Sequence, residues 1–117
     1  MSQHRHRAHG SASAHVSPSR AIAYEVLRQV AESDAYANLL LPGKLAAAQL
    51  SAQDAALATE LCYGTLRLLG RYDAIIELAA RRPLTEINPK VLDALRLGAH
   101  QLLGMRIASH AAVHESV

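Results

Sequence analysis

Tryptophan and phenylalanine are absent from this chain, and four tyrosines are its only aromatic rings beyond histidine. An interior without large rings is filled by small and aliphatic side chains, which suits helices that approach closely. The single cysteine, Cys62, excludes an internal disulfide and any multi-cysteine zinc site. Its place on an apolar helix face reads as a buried, unreactive thiol. No apolar run reaches the roughly 18 residues of a membrane span, and no signal-peptide core is present, so the expected location is cytoplasmic. Acidic residues are missing from the first sixteen positions, where Arg5 and Arg7 stand. The other ten basic residues match ten acidic ones, so these two arginines account for the formal net charge of +2. Bulk charge therefore gives no argument for nucleic acid; only local clustering of arginine can. There is no G-x-G-x-x-G turn, no phosphate loop and no H-E-x-x-H pair. Cys62 has no base close in sequence, the nearest histidine being His100. No catalytic residue, resident cofactor or metal site is assigned.

What is present is alanine and leucine in helical spacing. Half of all residues are hydrophobic, and the two commonest types favour helix. Residues 1–16, rich in His, Ser, Ala and Arg without apolar period, read as a disordered basic tail. Residues 17–117 read as one helical domain. Ser17-Pro18 is an N-cap followed by proline at N1. Ile22, Ala23, Val26, Leu27 and Val30 form the inner face of the first helix, and Glu25 is spaced to pair with Arg28 on its wet face. Asn38 is read as the cap of a short second helix, with Pro42 near its first turn and Leu39, Leu40, Leu41 and Leu45 buried. Ser51 to Gly70 is read as the central helix, capped by Ser51 and Asp54. Ala55, Ala58, Leu61, Cys62, Thr65, Leu66 and Leu69 lie on its inner face, and Gly70 is placed at its end. Gly64 inside it predicts a close backbone neighbour. A fourth helix carries Tyr72, Ile75, Ile76 and Ala79 and stops before Pro83. Asn88-Pro89 opens a fifth, with Val91, Leu92, Leu95, Gly98, Ala99 and Leu102 inward and Gly104 at its end. Ser109 caps a sixth. No segment reads as a strand, so the fold class is an all-α bundle.

The binding signal is a set of arginines. Arg67 and Arg71 are one turn apart on the central helix, Arg81 and Arg82 precede Pro83, and Arg20 sits in the first turn of the first helix. Together they can track a phosphate backbone. The plain alternative is a set of surface arginines paired with Glu60, Asp73 and Glu77. Single-strand readers add stacking aromatics, and Tyr24, Tyr36, Tyr63 and Tyr72 are the only ones available.

The stretches Glu60-Leu-Cys-Tyr-Gly-Thr-Leu-Arg67, Arg81-Arg-Pro-Leu84, Leu95-Arg-Leu-Gly-Ala-His-Gln-Leu-Leu103 and Arg106-Ile-Ala-Ser-His-Ala-Ala-Val113 occur in order. In this the chain, from about Ser19 to Val117, resembles the NusB-like family. It is similar to the N-terminal domain of the small-subunit ribosomal RNA cytosine-5 methyltransferases. The resemblance implies a helical RNA-binding bundle that helps position ribosomal RNA for a downstream catalytic domain. That domain uses S-adenosylmethionine and a cysteine nucleophile, which is not Cys62. Ribosomal RNA and that catalytic domain are the implied partners. Arg20 carries over by position to the family's basic first helix, with Arg5 and Arg7 in its lead-in. The family usually has proline near Ala108 and often tyrosine at His100. The chain stops before the family's last helices, so an incomplete bundle is expected. Its uncovered surface around Leu97, Leu103, Ile107 and Val113 predicts a homodimer. Two other readings are a free-standing antitermination factor and an interaction module that never touches RNA.

Overall fold

The computed structural model describes residues 17–105. They form α1 (Pro18–Ser33), α2 (Ala37–Ala48), α3 (Ala52–Arg67), α4 (Leu69–Ala80), a 3₁₀ turn (Leu84–Glu86) and α5 (Pro89–Ala99). A π turn, His100–Gly104, continues α5. The described residues contain no strand, and the fold is the all-α bundle that the periodicity predicts. The expected sixth helix and the tail lie outside the described residues.

The helix starts follow the capping chemistry. Ser17 Oγ accepts from the Arg20 N–H at 3.1 Å and Ser51 Oγ from the Asp54 N–H at 3.1 Å. Asn88 Oδ1 accepts from the Lys90 N–H at 2.9 Å. Each side chain satisfies one of the donors that a helix start leaves unpaired. The core lies between α1 and α3. Ile22, Ala23, Val26 and Leu27 meet Leu61 and Cys62, and Leu41 and Leu97 close the cluster. Ser19 is buried with them, its hydroxyl donating to the Asp54 carbonyl at 2.7 Å.

The helix ends differ from expectation. The central helix does not reach Gly70. It stops at Leu68, whose φ of −107° and ψ of 22° make it the shared cap of α3 and α4, and Gly70 is the second residue of α4. Helices α1 and α3 have 16 residues each. A straight continuation would carry the apolar stripe past its partner, whereas the bend returns Tyr72 and Ile76 to the interior. Gly104 does not end α5 either, because Met105 is again helical. Left-handed cap positions fall instead to Asp34, Gln49 and Arg81, and no described glycine has positive φ.

The second helix begins at Ala37 with Tyr36 as a cap that makes no side-chain bond, so Asn38 is inside it and Pro42 lies well within. Of its leucines only Leu41 is buried; Leu40 and Leu45 are half-buried and Leu39 is 72% exposed. Three consecutive leucines, Leu39 to Leu41, cannot all face one side of a helix of 3.6 residues per turn.

Candidate nucleic-acid interface

The cations are best understood from the carboxylates, which are mostly committed elsewhere. Asp73 receives Arg96 through two bonds, Nε at 2.6 Å and Nη2 at 2.9 Å. Arg96 Nη1 also donates to Asp93 at 3.0 Å. Asp93 accepts in addition from Arg28 Nη1 at 2.7 Å, and Arg28 Nη2 reaches Glu32 at 2.7 Å. The Asp93 side chain is only 4% exposed, so this chain of charges is a largely dry tie joining α1, α4 and α5. Hydrogen bonding to Asp93 holds the Arg28 guanidinium above its ordinary pKa, and bonding to Asp73 does the same for Arg96. The expected Glu25–Arg28 pair does not form. Glu25 meets Lys44 at 3.3 Å, because the N-terminal turn of α5 brings Asp93 and the Pro89 carbonyl to Arg28.

A second polar tie lies between α3, α4 and the π turn. His100, 1% exposed, is held by Glu60 Oε2 at 2.8 Å on Nε2 and by the Tyr72 hydroxyl at 2.7 Å on Nδ1. A neutral ring with the proton on Nε2 donates to the carboxylate and accepts from the phenol, leaving no ring nitrogen unpaired. Burial pushes the Tyr72 hydroxyl above its ordinary pKa, with Glu60 adding to the rise and Arg71 and Arg67 opposing it. Gly64 and Gly104 make room for the imidazole: a methyl group on either would meet the His100 ring. The close neighbour of Gly64 is therefore a side chain, where a passing backbone was expected.

With Asp73 and Glu77 engaged, the latter accepting from the Leu84 N–H at 3.1 Å, the arginines have few partners. Arg67 lies 3.8 Å from Glu60, an exposed pair of small worth. Among the described residues, Arg20, Arg71, Arg81 and Arg82 meet no carboxylate within ion-pair distance.

They do not form one patch. Arg67 closes α3 and Arg71 lies in α4, so the two flank the bend instead of sharing one helix face. Arg71 stands beside Leu68, Tyr72 and Leu103. Arg81 is the left-handed cap of α4, φ 58°. Arg82 lines a groove with Ile87, Val91 and Leu95, while Arg20 lines a cleft with Ala94 and Leu97, so these two border α5 on different faces. Of the tyrosines, Tyr72 is buried and unavailable for stacking, Tyr36 is exposed, and Tyr24 and Tyr63 are half-buried.

The uncovered apolar surface also differs from expectation. Leu97 is buried at 1% exposure, and Val91 and Leu95, expected inward, are exposed. Leu102, also expected inward, is exposed, Leu103 is exposed as expected, and Leu78 is exposed as well. Ile107 and Val113 lie outside the described residues. Sequence reasoning did not find the two polar ties, although the i,i+3 spacing of Asp93 and Arg96 on an otherwise apolar helix was a signal for the first.

The bend at Leu68, the five α-helices and the arginine-bordered α5 define an all-helical domain. No group of three or more His, Cys, Asp or Glu that could hold a metal occurs among them. No described helix is long and apolar enough to cross a membrane. The profile of the NusB family matches residues 17–117, and the chain belongs to that family. It is 52% identical over 100 residues to "Putative methyltransferase Rv1407" of Mycobacterium tuberculosis (strain ATCC 25618 / H37Rv), covering 86% of this chain and 22% of that protein. It is 36% identical over 99 residues to the ribosomal RNA small subunit methyltransferase B of Escherichia coli O157:H7, and 38% identical over 100 residues to that of Erwinia tasmaniensis. Each of these two alignments covers 84% of this chain and 22% of the relative. The chain thus spans about a fifth of the length of the relatives it matches. No solved structure matches it significantly.

Proposed function

We infer that this domain binds RNA as the accessory part of a ribosomal RNA cytosine-5 methyltransferase, helping to position ribosomal RNA for a catalytic domain elsewhere in a longer chain. The observation that carries the reading is the match of most of this chain to a fifth of each ribosomal RNA methyltransferase relative, together with arginines left without carboxylates. S-adenosylmethionine belongs to the remaining part. The described residues have no strand and hence no strand–glycine turn–helix crevice of the kind that holds such a cofactor. Cytoplasmic residence follows from the ribosomal RNA substrate. Arg20, Arg67, Arg71, Arg81 and Arg82 supply the phosphate contacts, and each contact on a single strand adds about −0.7 to the slope of log K against log salt. Replacing Arg20 and Arg82 together with alanine should flatten that slope in a filter-binding titration with ribosomal RNA fragments. An unchanged slope would make these arginines ordinary solvated surface.

A second contact surface accompanies the first. Leu78, at 81% exposure, and Val91 and Leu95 on α5 with Leu102 in the π turn are apolar surface of the kind that docks on a protein. It suits the catalytic domain of the longer chain, or a second copy when that domain is absent. Sedimentation velocity distinguishes the two: a concentration-dependent dimer of this chain that dissolves on adding the catalytic domain supports a shared face.

A further inference from the structure

Arg67 and His100 share one carboxylate. Glu60 Oε2 is 2.8 Å from His100 Nε2 and 3.8 Å from Arg67 Nη2. The Arg67 side chain is 61% exposed, whereas that of His100 is 1% exposed. Glu60 therefore connects an arginine in solvent with an imidazole sealed in the interior. Gly64, one turn further along α3, lets the two meet: a methyl group there would run into both the ring and the Glu60 carboxylate.

The neutral ring already uses both nitrogens, donating to Glu60 and accepting from the Tyr72 hydroxyl. A further proton from solvent has one place to go, Nδ1. The Tyr72 oxygen must then turn from donor to acceptor while keeping its own proton, which burial holds on. The charged groups around the ring are few. From α3 come Glu60 and Arg67, and from α4 come Tyr72 and Arg71; Arg71, Arg67 and Glu60 all act electrostatically on the Tyr72 hydroxyl. One turn back on α5, Arg96 is matched by Asp73 and Asp93. Glu60 favours an imidazolium, and Arg67 and Arg71 oppose it. Phosphate on these arginines changes that balance. It neutralises both cations and draws the Arg67 guanidinium away from Glu60, leaving the carboxylate to the ring. Linkage makes the effect mutual: if bound phosphate favours the protonated ring, the protonated ring favours bound phosphate.

We propose that His100 is a proton-linked sensor of phosphate at the Arg67–Arg71 bend: RNA binding there promotes uptake of a proton by the buried imidazole through Glu60, and RNA binds more tightly as pH falls. The proposal rests on the RNA-binding reading above and adds to it a regulator, pH, that acts from the interior of the bundle and touches no RNA.

The test uses the full chain and a labelled oligouridylate, whose bases take up no proton in the histidine range. Affinity is followed by fluorescence anisotropy at constant salt from about pH 8 to about pH 5, the span over which histidines change charge. Other histidines of the chain charge in the same span, so the wild type is compared with His100→Gln, whose amide can still donate to Glu60. On acidification the wild type should gain about fivefold more affinity than His100→Gln, the low end of coupling between two sites, because the Arg67–Glu60 pair is exposed. The two proteins should bind equally at the alkaline end. Glu60→Gln, which keeps a hydrogen-bond acceptor but not the charge, should lose the same part of the gain. Equal pH dependence of the wild type and His100→Gln overturns the proposal and leaves RNA binding standing. Should His100→Gln fail to fold, the wild type decides. Its His100 ring-nitrogen resonances, followed by NMR at a pH inside that span, should move toward the charged form on saturation with oligouridylate, and resonances that stay in place overturn the proposal. Absence of binding at every pH sinks the RNA reading and the proposal together.

Discussion

The seam between α1 and α3 and the seams around α5 are built on opposite principles. The first is dry and aliphatic: Ala23, Val26, Ala58, Leu61 and Cys62 are all fully buried there. The second is held by ionised and hydrogen-bonded groups. Arg28, Asp93, Arg96 and Asp73 tie α5 to α1 and α4, and Glu60, His100 and Tyr72 tie its π turn to α3 and α4. Apolar packing gives stability without direction, whereas a bidentate arginine fixes the angle and register at which a helix docks. The aliphatic seam thus supplies most of the cohesion. The polar seams hold α5 in a defined place while its Val91 and Leu95 stay exposed, and α5 is the helix that Arg20 and Arg82 border.

The largest effect should come from the aliphatic seam. Leu61→Ala is expected to cost about 2–5 kcal/mol in urea denaturation, a large share of the roughly 5–15 kcal/mol of a small domain. A cost no greater than that of an exposed substitution would move the core elsewhere. Next comes Asp93→Ala. Removing one partner of a buried ion pair costs about 3–5 kcal/mol. Here Arg28 and Arg96 each keep a second carboxylate, Glu32 and Asp73, so about 2–3 kcal/mol is expected. If Asp93→Ala unfolds the domain as readily as Leu61→Ala, the division of labour between the seams is wrong.

Gly64→Ala sharpens the comparison further. Alanine should favour a helix over glycine by about 1 kcal/mol, but here its methyl displaces the His100 ring from Glu60 and Tyr72. A net loss of about 1–2 kcal/mol is expected, in the range of overpacked cores. In a His100→Ala background the same change should turn stabilising, and a double-mutant cycle measures the coupling. Equal effects in both backgrounds would show that the glycine serves something other than the imidazole.

The last effect vanishes at neutral pH and is confined to alkaline pH. Burial pushes the Cys62 thiol from 9.0 up to about 11. Above about pH 9 the unfolded thiol ionises while the folded one keeps its proton, so the unfolded state gains and stability falls with rising pH until about pH 11. The slope in that window is about 1.4 kcal/mol per pH unit, and below it Cys62 contributes no pH dependence. Cys62→Ala should remove this part of the alkaline decline. The raised Tyr72 hydroxyl acts in the same direction at higher pH. Rapid reaction of the native thiol with a disulfide reagent near neutrality would contradict the burial.

The aliphatic seam was legible in the sequence because its signal is local. Ile22, Ala23, Val26 and Leu27, and Ala58, Leu61, Cys62 and Thr65, recur at helical spacing, and Ser17, Ser51 and Asn88 mark starts through bonds to residues two or three positions on. The polar seams were not legible, because Arg28 finds Asp93 and His100 finds Glu60 only after the helices have packed; those partners are 65 and 40 positions apart. Helix ends failed for a related reason. Gly70 and Gly104 looked like terminators, but glycine has two uses, and at Gly64 and Gly104 it clears space for His100. At the candidate interface, the arginines were visible as residues but not as a surface. The bend at Leu68 separates Arg67 from Arg71, and Asp73 and Glu77, expected to neutralise these arginines, are engaged instead by Arg96 and the Leu84 amide.

The central claim, that this domain is an RNA-binding module, is tested most directly by titrating the wild-type chain against single-stranded ribosomal RNA fragments at low and high salt. The account predicts saturable binding that weakens as salt rises, with a log–log slope of about −2 to −3 if three or four of the five arginines each contribute about −0.7. No saturable binding at low salt, or binding indifferent to salt, would contradict it.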